Sequence, residues 1–111
     1  MPARLIEIAE LQPTDTLRQE AVSYLSELSL IEIESRHGMP QVWETEKGLL
    51  ISDGNQRIAT MAKRGEIHAK VDYCNLGKVP AAESYFLDTI TKRAEQLRNQ
   101  GIYSPGDLWQ A

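Results

Sequence analysis

One stretch narrows the folds open to this chain more than any other: Leu49-Leu50-Ile51-Ser52-Asp53-Gly54-Asn55-Gln56-Arg57-Ile58-Ala59-Thr60-Met61-Ala62-Lys63-Arg64-Gly65. An apolar run suited to a strand enters an Asp-Gly pair. The helical spacing of Ile58, Ala59, Met61 and Ala62 then begins at once and stops at Gly65. Such a chain must set a helix against a sheet with almost no connecting loop. The first turn of that helix carries N–H groups without intrahelical partners and the positive end of the dipole. An anion placed there gains hydrogen bonds and a favourable field together. Gly54 allows the backbone to approach a ligand closely. Arg57 offers a planar fork of donors suited to phosphate, Asn55 and Gln56 offer amide donors, and Asp53 is placed to cap and orient the turn. The chemistry is that of a phosphate or carboxylate pocket. The plainer alternative is a common strand–turn–helix with a solvated arginine.

Elsewhere the periodicity alternates between the two regular types. Arg4 to Ala9 alternates as a short strand, and Leu11-Gln12-Pro13-Thr14-Asp15 breaks it, with Thr14 or Asp15 available to cap a helix. From about Thr16 the positions Leu17, Ala21, Val22, Leu25 and Leu28 share a helical face. Leu30 to Glu34 fits either a last helical turn or a strand, and Arg36 to Pro40 reads as a loop. Gln41 to Thr45 and Leu49 to Ile51 form a hairpin across Glu46-Lys47-Gly48. Ile67 to Tyr73 is a strand with Ile67, Ala69 and Val71 on one side, and residues 75–80 form a turn-rich connector. A long helix follows over about 81–100, with an apolar stripe of Tyr85, Phe86, Thr89, Ile90, Ala94 and Leu97, ended by Gly101. The tail makes one further turn, opened by Ser104 before Pro105. The expected fold is a single α+β (mixed α/β) domain over 1–111, a small sheet with helices packed on it and a C-terminal helix.

Composition limits the functions open to such a domain. With 111 residues, 41% hydrophobic and 25% charged, the chain can bury one core. No apolar run approaches the length of a membrane span, and MPARLIEIAE lacks the apolar region of a secretory signal, so no membrane partner is expected. The one cysteine, Cys74, forms no intrachain disulfide, and a reducing cytoplasm suits it. A formal charge of -4 argues against non-specific nucleic-acid binding, which needs a dense cationic face. Lys63, Arg64 and Lys70 form the one local basic cluster, too small for a DNA groove.

The run Ile51-Ser52-Asp53-Gly54-Asn55-Gln56-Arg57, with Ala59, Gly65 and a following strand, resembles the D/G-G-x-x-R box of the ParB/sulfiredoxin superfamily. Upstream, Ile6-Glu7-Ile8-Ala9-Glu10-Leu11-Gln12-Pro13-Thr14 is similar to that family's opening strand and L-x-P, and Gly38-Met39-Pro40-Gln41-Val42 to its G-x-x-P-I-x-V strand. The resemblance covers about 4–73 and implies a ParB/sulfiredoxin-like sheet. In ParB proteins the box binds the phosphates of CTP, and the domain is a nucleotide-operated clamp on DNA. In sulfiredoxins the box holds a catalytic Cys. In the free-serine kinases it binds a nucleotide's phosphates, with an acid after the first strand acting in catalysis.

Several positions depart from these patterns. Asn55 stands where a sulfiredoxin would have its Cys, so that activity is not expected. Gln56-Arg57 supplies one of the two adjacent arginines usual in ParB boxes, and these residues include no separate helix-turn-helix domain. The kinase His is replaced by Asn55 or Gln56. The kinase acid would correspond to Asp15, where a carboxylate could take a proton or hold Mg²⁺; as a plain residue Asp15 would cap the first helix. Arg18 could reach a phosphate, as arginines in that region do in ParB relatives, or be a surface helix residue.

The resemblance implies a nucleotide ligand, CTP, ATP or ADP, with Mg²⁺ in a catalytic version. It leaves three readings: a binding or regulatory module related to DNA-partition proteins, a phosphotransferase or hydrolase, and a scaffold that has lost its ligand. DNA, a protein partner or a second copy are the further partners it allows. Four residues outside the box carry weaker signals. His37 lies in the presumed loop, His68 faces outward from its strand, Trp43 suggests an interface if it faces out, and Trp109 docks on this chain or on a neighbour.

Overall fold

The computed structural model describes residues 3–76 and 84–110. Five strands, β1 (Ala3–Glu7), β2 (Leu11–Gln12), β3 (Gln41–Thr45), β4 (Gly48–Asp53) and β5 (His68–Asn75), form one sheet in the order β1-β5-β3-β4-β2. The pairings β1/β5 and β3/β4 are antiparallel, whereas β5/β3 and β4/β2 are parallel. Among the described residues four α-helices accompany them: α1 (Gln19–Ser26), α2 (Leu30–His37), α3 (Asn55–Lys63) and α4 (Ser84–Asn99). The fold is α+β, as the sequence pattern implies.

Strand alternation decides how the layers stack. On β4, Ile51 turns toward α3 and joins Ile58, Val42, Val71, Ile6 and Leu11 in the main core, while the preceding residue, Leu50, turns the opposite way. There it meets Ile90 and Ala94 of α4. The sheet is therefore covered on both faces, with α3 on one and α4 on the other. Trp43 lies beside Leu50 in this second cluster, so it packs under α4 and is not an outward interface residue. The tail turns in a 3-10 helix over Pro105–Gln110, and Leu108 and Ile102 fill a cluster with Ala59 and Leu97. Trp109 docks on its own chain, its Nε1 donating to the Ala59 carbonyl at 2.8 Å.

Several boundaries differ from the sequence pattern. Strand β1 ends at Glu7, because residues 8–10 coil into a 3-10 turn that brings Leu11–Gln12 alongside β4 as an unexpected short strand. The helical run from Thr16 divides in two. Ser29 accepts from the Glu32 amide at 3.1 Å while the Glu32 carboxylate accepts from the Ser29 amide at 3.2 Å, a capping box that starts α2 afresh. Residues 30–37 are thus helix, and His37 belongs to it. Neither Thr14 nor Asp15 caps α1, whose N-cap is Arg18. Ile67 precedes β5 and is exposed, and β5 runs on to Asn75. Tyr85 and Phe86 are exposed, so the buried stripe of α4 is Ile90, Ala94 and Leu97. The rest of the expected connector beyond Leu76, and the expected helix start at 81–83, lie outside the described residues.

Candidate functional site

The turn from β4 into α3 forms the floor of a cleft of about 400 Å³. Its walls bring together Asp15, Arg18, Asp53, Gly54, Asn55, Gln56 and Arg57, all singled out in the sequence. They also include Tyr24 from α1, His37 from α2, and Ile90 and Arg93 from α4. A volume of this size lies within the ordinary range of small-molecule sites.

Gly54 is the N-cap of α3, at φ 95°, a left-handed conformation that favours glycine. It offers no side chain to the first-turn amides, so these stand uncapped by any side chain at the cleft floor. The space a Cβ would need is taken by the protein itself. That Cβ would lie 2.7 Å from Pro40 Cβ and 3.0 Å from Arg57 Nη2. The glycine thus serves the close packing of Pro40 and Arg57 against the turn.

Asn55 and Gln56 spend their amides on the chain, not on open space. Asn55 accepts from the Thr14 amide at 2.8 Å and donates to its hydroxyl at 3.0 Å. Gln56, buried, accepts from the Arg18 amide at 2.8 Å and donates to the Thr16 carbonyl at 2.7 Å. Together they pin the 14–18 segment to the start of α3. The Thr14 hydroxyl in turn donates to the Ile51 carbonyl. Gln56 thus reaches the Arg18 amide from another helix and satisfies one of the free donors at the start of α1.

Arg57 is the best-anchored cation of the cleft. Its Nη1 donates to the carbonyls of His37 at 2.8 Å and Gly38 at 2.9 Å, satisfying the C-terminus of α2. Its Nη2 donates to Asp53 at 3.2 Å. Arg18 pairs with Asp15 at 3.3 Å and is far more exposed, and Asp15 also accepts from the Thr16 amide. Arg93, absent from the sequence expectations, has no ion-pair partner among the described residues. Its proximity could not be read from a helix more than thirty positions downstream of the box. At the far end, the Tyr24 hydroxyl and His37 Nε2 lie 3.2 Å apart with their rings edge to face. The Ser52 hydroxyl is buried at the wall and has no hydrogen-bond partner among the described residues.

The basic cluster expected from Lys63, Arg64 and Lys70 is dispersed. Lys63 lies over the Trp109 ring, Arg64 donates to the Leu25, Ser26 and Leu28 carbonyls at the end of α1, and Lys70 pairs with Glu34. His68 is exposed on β5. Among the described residues no group of three or more His, Cys, Asp or Glu could hold a metal ion, and no helix is long and apolar enough to cross a membrane.

No family model matches the chain, and no curated protein matches it. Several solved structures share its fold. A conserved hypothetical protein from Pyrococcus furiosus aligns with a TM-score of 0.54 and 20% identity, over 68% of this chain and 33% of that one. A protein from Agrobacterium tumefaciens aligns with a TM-score of 0.55 and 13% identity, over 84% of this chain and 49% of that one. This chain spans less than half the length of either, and at such identities the likeness is one of fold alone.

Proposed function

We propose that this chain is a ParB/sulfiredoxin-like domain that binds a phosphate-bearing ligand, a nucleotide such as CTP, ATP or ADP, and acts as a binding or regulatory module. The observation that carries the reading is the cleft at the uncapped first turn of α3, with Arg18, Arg57 and Arg93 on its walls. Free amides and guanidinium groups are the donors that phosphate oxygens accept best. Arg57 spends Nη1 on the His37 and Gly38 carbonyls, and the cleft-side partner of its Nη2 is the exposed carboxylate of Asp53.

Phosphoryl transfer is the second reading, favoured by the Asp15 carboxylate on the same wall. Mg²⁺ in such a site is held largely by the phosphates with one or two carboxylates, so Asp15 or Asp53 would be enough from the protein. A binding partner, a second copy or DNA would then be downstream of ligand binding.

Calorimetric titration with ATP, ADP and CTP, with and without Mg²⁺, tests the reading. Binding is expected, and Arg93→Ala should weaken it about tenfold, the value of one charge-assisted hydrogen bond. Absence of heat at millimolar nucleotide would leave a ligand-free scaffold. Phosphate release that is lost in Asp15→Asn would favour transfer over simple binding.

A further inference from the structure

We infer that Asp53 is a built-in competitor for the anion site, its carboxylate occupying the Nη2 edge of Arg57 that a bound phosphate would take. The inference rests on the anion-binding reading of the cleft and names how that site is restrained.

The argument turns on what holds Arg57 in place. Its side chain is only 12% exposed, whereas that of Asp53 is 68% exposed. Nη1 is fixed by two main-chain carbonyls at 2.8 and 2.9 Å, shorter than the 3.2 Å contact to Asp53. Those carbonyls end α2 and cannot leave without uncapping it. Arg57 is therefore oriented from the α2 side, and the solvated partner is the carboxylate on the cleft side. A phosphate approaching the first turn of α3 meets Asp53 as a rival acceptor and as a like charge. Arg18 is also paired with an aspartate, Asp15, although there the arginine is the more exposed partner. Two of the three cleft arginines thus carry an aspartate where an incoming anion would bind, and Arg93 is the one left open among the described residues. A cleft built this way admits a ligand only when its combined phosphate contacts outcompete the aspartate.

The test is Asp53→Asn. Asparagine keeps an oxygen that can accept from Nη2 but removes the charge, so Arg57 stays where it is. Wild type and variant are titrated with ATP, CTP and inorganic pyrophosphate, each in EDTA so that no divalent cation recruits the carboxylate. Binding of the tightest of the three should be roughly fivefold stronger in the variant, the scale of one partly exposed ion pair. Asp53→Ser, which has neither carboxylate oxygen, should strengthen binding in the same direction. Thermal unfolding without ligand checks that both variants are folded. If wild type binds and the variants bind equally or more weakly, Asp53 is a positioning residue and the inference fails while the anion site stands. Binding by the variants alone supports both. If none of the three proteins binds at millimolar concentrations, the anion reading fails and takes this inference with it.

Discussion

At the scale of single residues, the β4–α3 turn is specified by sterics and by polar satisfaction. Gly54 combines φ 95° with a Cβ position 3.0 Å from the Pro40 backbone. Gly54→Ala should therefore destabilise the fold by about 2 kcal/mol, the usual scale for a forced left-handed residue. Chemical denaturation measures this, and a cost near zero would mean that Pro40 and the turn relax together. Gln56 is the second such residue. Its side-chain amide serves the Arg18 amide and the Thr16 carbonyl, so Gln56→Ala leaves two groups unpartnered near the cleft. A loss of about 2 kcal/mol is expected by the same denaturation experiment. Both residues stood out in the sequence as ligand donors or ligand-approach positions. The turn was legible because its order of residue types is local. The partners of Asn55 and Gln56 were not, since Thr14, Thr16 and Arg18 lie about forty positions away and no spacing rule reaches that far.

At the scale of elements, periodicity revealed what is long and regular and missed what is set by caps. The β3–β4 hairpin and α3 follow their patterns closely, because Ile51 and Leu50 fill cores on opposite faces of the sheet and α3 turns Ile58 and Ala59 inward. The division between α1 and α2 escaped, since Leu25, Leu28 and Ile33 continue an apolar pattern across the break. What decides the break is Ser29 and Glu32, whose mutual bonds end one helix's continuity and open the next. The Ser29 amide and hydroxyl hold the Glu32 carboxyl below its ordinary value. A carboxyl depressed in the folded state stabilises above its unfolded pKa. That contribution is lost as pH falls through the folded value. Ser29→Ala should cost about 1 kcal/mol at neutral pH, the typical worth of an N-cap. The difference between wild type and variant should narrow in acid. Denaturation midpoints at neutral and acid pH check both, and a cost that grows in acid would sink the account.

At the scale of the whole molecule, the C-terminal tail joins the elements around the cleft. Leu108 and Ile102 close a cluster with Ala59 of α3 and Leu97 of α4. The Ile102 carbonyl accepts from Gln12 of β2, and Trp109 donates to the Ala59 carbonyl while Lys63 lies over its ring. The tail therefore ties β2, α3 and α4 together, the same helices that supply Arg57 and Arg93 to the site. Removing residues 102–111 would expose the apolar surface these side chains cover. Two buried aliphatic side chains contribute about 3–6 kcal/mol together. That is a large share of the few to fifteen kcal/mol that holds a domain of this size. The truncated chain should thus be largely unfolded or molten at 37 °C, with near-ultraviolet circular dichroism from Trp43 lost. The single change Trp109→Phe keeps one six-membered aromatic ring but loses the pyrrole ring and its bond to Ala59, and should cost about 2 kcal/mol. A truncated chain that kept a cooperative thermal transition and a near-ultraviolet signal from Trp43 would show that α3 and α4 hold their places on the sheet without the tail.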